Sequence, residues 1–487
     1  MVRRGLTGGI FRLLSRSEIE AIHSASLQIL QHVGLSVKSQ KIFNVFKSGG
    51  TETDEKKNLV RIPEHLVKEC LNKAPHNVLL GGRNEENDIM LENGRVHFGL
   101  GGSPNPYTLD VETGDFRVST SEDVVRTTRL GDALPNISFV MSLGGAFDVP
   151  YETEWLHEAS LMLRNTQKPI AYIAAGSEGA KYLLELAAAV RGGFEQLERR
   201  PPVLLFAEPL TPLVMPEINE AIIEFAKVKL PVAYVPGALP GASTPITLAG
   251  EHALCNAEIL AGVVLTQLVR AGSPIVYGNN MSVIDMRTGN VCYGAPEWTM
   301  GKMMVGQLGE FYGLPTWGSG AGTDSKTPDA QAGAEAMMNI CLSAAAGVNL
   351  VQNCGTVAHG ASGSLEMGVI CDDIIDYVKR ILTDVEVNDE SLAVDLILKV
   401  GRGGNFMAEK HTRTYLERGA ILHPKLFNRQ TIPDWKARGQ KSAREEAKEK
   451  VRKILKEHQV PALPKETTDH MDQILSRASQ TMIKKKV

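Results

Sequence analysis

The amino-acid sequence predicts a fold of the α/β class, a (β/α)8 TIM barrel with N- and C-terminal extensions that are mainly helical. Eight short apolar runs alternate with eight helical patterns over most of the chain. Each run ends at small or polar residues, as strands do at the carboxyl-terminal face of a barrel, where active sites lie. The rival is a doubly wound open sheet, which more often has five to seven strands. Neither a G-x-G-x-x-G nor a Walker sequence stands where a nucleotide-binding sheet would need it, so the barrel is favoured.

The predicted strands are short runs of apolar, often β-branched residues. They cover residues 96–100, 137–143, 169–174, 203–207, 231–235, 274–278, 314–317 and 348–353.

The predicted helices follow these strands in order and show apolar residues at helical spacing. Several have a start signal, such as Ser121 followed by two acidic residues, or Pro216 and Pro328 in a first turn. They cover residues 121–132, 152–164, 177–191, 216–229, 249–271, 297–312, 328–346 and 365–382.

The rest of the chain flanks this barrel, which we place at residues 91–385. Residues 1–90 form an extension packed on the barrel, with an amphipathic helix at 17–33. A hairpin signal with Gly114 in its turn is inserted after the first strand. Residues 386–487 are increasingly charged and helical, which is typical of a segment that covers the barrel or a partner subunit.

Composition excludes several classes of protein. A net charge of −4 over 487 residues predicts no nucleic-acid partner and no anionic membrane surface. The longest apolar stretch, 257–269, is too short to span a bilayer. The six cysteines have no C-x-x-C pairing and are expected to be reduced, so we expect a cytoplasmic protein.

In a barrel the chemistry lies at the carboxyl ends of the strands. There the sequence offers no H-x-H, no H-E-x-x-H and no paired carboxylates at a fixed spacing, so no metal site is expected. The most informative stretch is 318–326, GSGAGTDSK, where an apolar run ends in a loop of small residues. Such a loop lets a ligand approach the backbone closely.

This loop and its surroundings resemble a known family. The stretches GSGAGTDSKTPDAQAGAE from residue 318, VNLVQNCG at 348–355 and GSLEMGVICDDIIDYVKRIL at 363–382 are similar to the MttB-type trimethylamine methyltransferase family. The resemblance covers essentially the whole chain. Members move a methyl group from a methylated amine to a cobalt corrinoid. The resemblance therefore implies a (β/α)8 barrel, a small corrinoid protein as partner, a cobalamin-type corrinoid that the partner presents and this chain does not bind itself, and a homo-oligomer.

The resemblance also bears on the substrate. Trimethylamine-specific members carry pyrrolysine in the barrel, and none is written in this sequence. The chain thus resembles the non-pyrrolysine branch, which demethylates quaternary amines such as glycine betaine, proline betaine or carnitine. Three alternatives stay open: trimethylamine as the substrate, a barrel enzyme of another reaction class, and a non-catalytic barrel that binds betaines or the corrinoid protein.

A quaternary amine needs aromatic faces and negative charge around its cation. Phe98, Phe147, Phe206 and Trp317 lie near strand ends and are the candidate faces, with Tyr107 on the inserted hairpin. Any one of them is more often a packing residue, but at least two are expected to line the site. Glu208 can complement the cation or pair with a Lys or Arg.

The carboxylate of a betaine needs hydrogen-bond donors. His359, helped by Asn353, is the candidate, with a surface-loop histidine as the alternative. Asn279 and Asn280 can bind substrate or fix their loop.

Five residues are candidates to face the corrinoid: Gly318, Gly320, Gly322, Asp324 and Ser325. Tight turns explain the glycines nearly as well, and helix capping explains the last two. No residue is assigned a proton-transfer role.

Overall fold

Eight parallel strands, paired in sequence order, close into a barrel in this computed structural model, which describes residues 6–92 and 94–484. The last strand pairs with the first, with Val351 opposite Phe98. Strands β1 to β8 are Arg95–Leu100, Ile137–Val140, Ile170–Tyr172, Val203–Ala207, Val232–Tyr234, Ile275–Asn279, Thr316–Ser319 and Leu350–Cys354. The predicted fold class is confirmed.

A helix follows each strand. Helices α1 to α8 are Ser121–Ala133, Glu154–Asn165, Gly176–Arg191, Glu220–Lys227, Leu248–Val269, Pro296–Tyr312, Ala330–Ala345 and Leu365–Ile381. Local sequence sets their starts: the Asp329 side chain accepts a hydrogen bond from the Ala332 N–H at the start of α7. Within the described residues, α5 is the one helix that by length and composition would be able to cross a membrane, but most of it is buried inside the protein.

The barrel interior is filled by an apolar plug. Its members alternate with outward-facing residues along the strands, since successive side chains of a strand point to opposite faces. The Trp317 ring lies 5.6 Å from that of Phe139 and 5.4 Å from that of Phe206. A hairpin of Val78–Leu80 and Ile89–Leu91 packs against the plug. The strand residues of the plug are Phe139, Ala171, Leu204, Phe206, Ala233, Val276, Trp317 and Leu350, with Met141 and Val235 just beyond strand ends.

The N-terminal extension packs on this barrel. Its first helix, Arg16–Gln28, begins at a capping box of Ser15 and Glu18 and continues as a π-helical turn, Ile29–Val33. The helices Gln40–Ser48 and Glu64–Lys73 follow, together with the strands Leu35–Val37, Glu52–Asp54 and Leu59–Arg61. Strand Leu6–Thr7 pairs with the start of β1, and Val214–Met215, from the loop after β4, pairs with Leu35–Val37.

Further elements surround the mouth and follow the barrel. The hairpin of Tyr107–Leu109 and Phe116–Val118 is extended by Ser362–Ser364 and Thr356–Val357 into a small sheet. A second hairpin, Val283–Ile284 with Val291–Cys292, follows β6, and helix Phe194–Arg199 precedes β4. The C-terminal helices are Asp389–Leu392, Val394–Val400, Lys410–Glu417, Ile432–Ala437, Ala443–Glu457 and Lys465–Lys484. The division of the chain at residues 90 and 385 stays a prediction.

Candidate active site at the carboxyl ends of the strands

Polar side chains lie above the apolar plug, at the mouth of the barrel. The inward series of β4 runs from Leu204 and Phe206 of the plug to Glu208. The same alternation places the next inward residue of three neighbouring strands at this level. These residues are Asn280 after β6, Ser319 of β7 and Gln352 of β8. The mouth thus has an apolar floor with a polar ring above it.

Three of these side chains form one hydrogen-bonded network. The Ser319 hydroxyl donates to Asn280 Oδ1, and Gln352 Nε2 donates to Ser319 Oγ at 2.9 Å. Gln352 Oε1 is buried, and among the described residues no protein group donates to it. A buried acceptor without a donor is costly, so this amide is suited to accept a hydrogen bond from a ligand or a water.

Glu208 supplies the charge of the mouth. Its side chain reaches solvent, yet the surrounding walls remove enough water to raise the pKa of its carboxyl to about 7. Gly237 faces this carboxylate: a Cβ on the glycine would lie 3.6 Å from Glu208 Oε1. Glu208 is therefore a carboxylate whose charge changes near neutral pH, in a position open to a ligand.

An aromatic ring, Tyr293, belongs to the loop after β6 and lies in the same region. Burial raises the pKa of its phenol to about 12, and the negative charge of Glu208 adds to this effect. The ring stacks on Trp298 with centroids 4.8 Å apart and planes 18° from parallel. The Lys302 side-chain nitrogen lies 5.2 Å from the Trp298 ring centroid. Tyr293 is thus held by a stack that is anchored in the helix layer.

Lys302 is itself buried and ties this stack to strand β6. Its Nζ donates to the carbonyl oxygens of Asn279 at 3.1 Å and Met281 at 2.9 Å. Burial lowers the pKa of this ammonium to about 7.

The loop after β7 fixes the backbone on both sides of Tyr293. Asp324 Oδ1 accepts from the Tyr293 N–H at 2.7 Å, and its Oδ2 accepts from the Gly294 N–H at 3.0 Å. Asn339 Nδ2 donates to the carbonyl oxygens of Tyr293 and Gly322, each at 3.0 Å. The loops after β6 and β7 therefore behave as one unit at the mouth.

Buried carboxylates of the helix layer hold two more rim loops. Glu158 of α2 accepts from the Ala146 N–H at 2.8 Å, and Glu258 of α5 accepts from the Leu213 N–H at 2.6 Å. Burial raises the pKa of each carboxyl to about 7. Both residues position loops of the mouth without reaching into it.

In residues 6–92 and 94–484, no three His, Cys, Asp or Glu side chains are grouped as a metal ion would require.

The sequence model of the family described as "Trimethylamine methyltransferase (MTTB)" matches residues 4–482. The chain belongs to the trimethylamine methyltransferase family.

The relatives of this chain include a trimethylamine methyltransferase and a glycine betaine methyltransferase. The chain is 34% identical to trimethylamine methyltransferase MttB of Desulfitobacterium hafniense strain DSM 10664 / DCB-2, with 92% of this chain and 90% of the relative covered. It is 30% identical to the glycine betaine methyltransferase of Desulfitobacterium hafniense strain Y51, with 94% and 95% covered. The crystal structure of Methanosarcina barkeri monomethylamine methyltransferase matches with a TM-score of 0.48 and 14% identity, over 91% of this chain and 93% of that one.

Three of the residues that were predicted to contact the quaternary amine lie at the mouth or its rim. Glu208 lies in the mouth, and Phe206 is the plug residue directly below it, with 7% of its surface exposed. Phe147 lies on the loop after β2 and is 41% exposed. Their contact with a substrate stays a prediction.

Three others lie away from the mouth, so the expected direct contacts are not what the structure shows. Phe98 faces outward from β1 into the core of the helix layer, because it alternates with the inward His97 and Gly99. Asn279 also faces outward, and its Nδ2 donates to Glu251 Oε1 at 2.9 Å. Trp317 faces inward but is completely buried in the plug.

The residues at the end of β7 and in the loop after it that were expected to face the corrinoid have structural contacts, and their contact with the corrinoid stays a prediction. A Cβ on Gly318 or Gly320 would meet Val348 or Val351 in the outer layer, and one on Gly322 would lie 2.6 Å from the Tyr293 ring. Asp324 holds the Tyr293 backbone, and Ser325 Oγ donates to Asp329 at 2.9 Å beside the start of α7.

The last two predicted residues lie near the end of β8 and in the loop after it, and both have left-handed backbones. Asn353 has φ 77° and its Oδ1 lies against Gly102, which leaves no room there for a Cβ. His359 has φ 50° and its half-buried Nδ1 lies 3.8 Å from Asp324 Oδ1. Backbone strain of this kind is concentrated at functional loops, and the role of both residues in binding stays a prediction.

Three residues at the mouth did not appear among the predicted site residues: Ser319, Gln352 and Tyr293. Strand alternation carried past Trp317 and Leu350 of the plug identifies Ser319 and Gln352. Tyr293 had no local signal, since its place depends on Asp324 and Trp298.

Proposed function

We propose that this protein moves a methyl group from a quaternary amine, such as glycine betaine, to the Co(I) corrinoid of a separate small corrinoid protein. The observation that carries the proposal is the carboxylate of Glu208 near the Tyr293 ring, above an apolar floor. A trimethylammonium group has no N–H to donate, so it is recognised by negative charge and aromatic faces.

The chemistry of the leaving group supports a quaternary amine. When a methyl group leaves a quaternary nitrogen, the product is a neutral tertiary amine that needs no proton. The chain's own residues then have to bind the cation, exclude water and hold the methyl group in line. This fits a mouth with one carboxylate and neutral amides, in a chain without pyrrolysine.

The rim of the mouth suits a docked partner that presents a bulky ring. Exposed apolar side chains stand on the loops after β2, β4, β5 and β6. They are Phe147, Tyr151, Leu210, Ile246 and Met286. When bound, the reduced corrinoid supplies the nucleophile for the methyl group.

The other end of a betaine carries a carboxylate, for which we propose His359. It lies on the loop after β8, beside Asp324. A ring N–H of this histidine can donate a hydrogen bond to such a carboxylate.

The test is methyl transfer with the purified corrinoid partner in its Co(I) state, followed through the cobalt absorption spectrum. Glycine betaine, proline betaine and carnitine are compared with trimethylamine, dimethylamine and monomethylamine. We expect transfer from at least one quaternary amine and none from the three methylamines. Equal turnover of trimethylamine and glycine betaine would refute the assigned substrate class. Betaine binding without transfer would favour a non-catalytic binding protein.

A further inference from the structure

Glu208 is a carboxylic acid at the mouth whose carboxyl group has no charged partner among the described residues. It directly follows β4, and its side chain faces inward above Phe206 of the plug. Burial is the cause of its raised pKa, and no cation of the described chain offsets it. The ionisable side chain that feels its charge is Tyr293, from the loop after β6. The Glu208 carboxyl is therefore free to exchange a proton with a ligand in the mouth.

The surroundings of Glu208 fix its backbone and leave its carboxyl open. Asn219, directly before α4, donates from Nδ2 to the backbone carbonyl oxygen of Glu208 at 3.0 Å. Its Oδ1 accepts from the Tyr234 hydroxyl of β5 at 3.1 Å. Gly237, in the loop after β5, faces the carboxyl and brings no charge to it. The carboxyl thus has a fixed place, with neutral groups around it.

Methyl transfer from a quaternary amine leaves a nitrogen that is able to accept a proton, and here the inference rests on the proposed function. The C–N bond breaks, and its electron pair stays on the nitrogen. The methyl group bonds to the partner's cobalt through the electron pair of Co(I), which is thereby oxidised. The product amine then carries a lone pair beside the methyl group that it has just lost. Such an amine is a nucleophile and is able to take the methyl group back.

We propose that Glu208 donates a proton to the nitrogen of the tertiary amine once the methyl group has left, so that the product is held as an ammonium against the Glu208 carboxylate. The O–H bond of the carboxyl breaks, and the proton bonds to the lone pair of the nitrogen. An ammonium has no lone pair, so it does not accept a methyl group. Glu208 is in this sense a catalytic residue that favours transfer in one direction.

The proton comes from water. While the quaternary cation is bound, its charge keeps Glu208 ionised. When the cation has become a neutral amine, this influence is lost, and a carboxyl with a pKa of about 7 takes up a proton again at neutral pH. The side chain reaches solvent, which provides the path for this proton. One proton is taken up for each methyl group that is transferred.

The relative basicity of the two groups decides where the proton stays. An aliphatic amine has a pKa of about 10 in water, well above that of Glu208, so the proton moves to the nitrogen. The carboxylate that remains stabilises the ammonium by its charge. A glutamine at this position offers no such charge, and burial then favours the neutral amine.

Nuclear magnetic resonance on the chain without its partner shows where this proton lies. The probe is 15N-labelled N,N-dimethylglycine, the tertiary amine that glycine betaine leaves, because its nitrogen chemical shift reports protonation. Wild type is compared with Glu208→Gln and with a matched control, Glu217→Gln, an exposed carboxylate that follows the same strand. At pH 7 we expect an ammonium on wild type and control and a neutral amine on Glu208→Gln. A neutral amine on wild type, or an ammonium on all three, would overturn the inference.

Methyl return from the methylated corrinoid protein to N,N-dimethylglycine gives a second reading. At saturating amine, the bound nitrogen has to lose its proton before it attacks the methyl group. The wild-type rate should therefore rise about tenfold per pH unit between pH 6 and pH 8, whereas the rate with Glu208→Gln should be constant. A wild-type rate that does not change with pH, or the same profile in both proteins, would contradict proton donation by Glu208.

The failure of the proposed function gives a different result. If no quaternary amine donates a methyl group, the cobalt spectrum stays that of Co(I), and the proposed function is lost together with this inference. If transfer takes place but N,N-dimethylglycine is bound to wild type as a neutral amine, only the proton donation by Glu208 is wrong.

Discussion

The charge of Glu208 should make cation binding depend on pH. With a pKa of about 7, its carboxyl is about 10% ionised at pH 6 and about 90% ionised at pH 8. A unit cation about 6 Å from the carboxylate gains about 3 kcal/mol at an effective dielectric constant of about 20. Because Glu208 reaches solvent, we take about half of this value, which corresponds to a roughly tenfold effect on Kd. The Kd should then fall about fivefold from pH 6 to pH 8.

The sign follows from the direction of the pKa shift. Burial raises the pKa of this carboxyl, so the charged form that attracts the cation appears only as the pH rises through 7. Binding of the cation should in turn lower the pKa of Glu208 and release a proton near neutral pH. Tyr293, whose phenol has a pKa of about 12, stays neutral throughout this range.

Isothermal titration calorimetry at pH 6, 7 and 8 measures both effects. Choline is the better ligand for this purpose, because it carries the trimethylammonium group without a carboxylate and so avoids a contribution from His359. Glu208→Gln keeps the shape of the side chain and removes its charge. We expect the variant to bind choline about tenfold more weakly at pH 8 and with no pH dependence. A wild-type Kd that is constant from pH 6 to pH 8, or a variant with the same pH profile as wild type, would refute a charged contact from Glu208.

Four further predictions follow from the site and its supports. Trp317→Ala should lower the free energy of unfolding by about 3–5 kcal/mol in urea titrations, because the ring fills the plug, whereas Phe147→Ala should change it by less than about 1 kcal/mol. Tyr293→Ala should weaken the binding of all trimethylammonium compounds by about 1–2 kcal/mol in calorimetry, and Tyr293→Phe should restore most of it. His359→Ala should weaken betaines but not choline and leave turnover at saturating substrate unchanged; loss of turnover with intact binding would make His359 a chemical participant. For Lys302, whose pKa is lowered to about 7, the unfolded chain holds more protons between pH 7 and pH 10, so stability should rise with pH in that range. Lys302→Met should flatten this rise in chemical denaturation at several pH values, and an unchanged slope would contradict a buried neutral amine.

The mouth shows why some of these residues were predicted and others were not. Glu208 was predicted because it directly follows a clear apolar strand. The sequence did not distinguish Asn279 from its neighbour Asn280, and the structure does: Asn279 binds Glu251 in the helix layer, and Asn280 faces the mouth. A shift of one residue along a strand moves a side chain to the other face, and apolar composition alone cannot resolve that shift in a strand buried on both sides.

Tyr293 illustrates a second limit. Its position depends on hydrogen bonds from its backbone to Asp324 and on stacking against Trp298. These partners are brought to it by the closure of the barrel and by helix α6. The sequence of the loop alone does not predict these contacts, because they join residues of different βα units.

By itself, the sequence determined the barrel and the order of its eight units, because the local alternation of apolar runs and helical patterns is displayed along a single chain. The family followed instead from the resemblance carried by the stretches between residues 318 and 382. Only the tertiary structure decided which side chains enter the mouth, how Tyr293 is placed near Glu208, and that the helices between residues 389 and 417 contain no buried residue. Each of these depends on strand register, on the inward or outward direction of a side chain, or on contacts between distant segments, which are set only when the barrel closes.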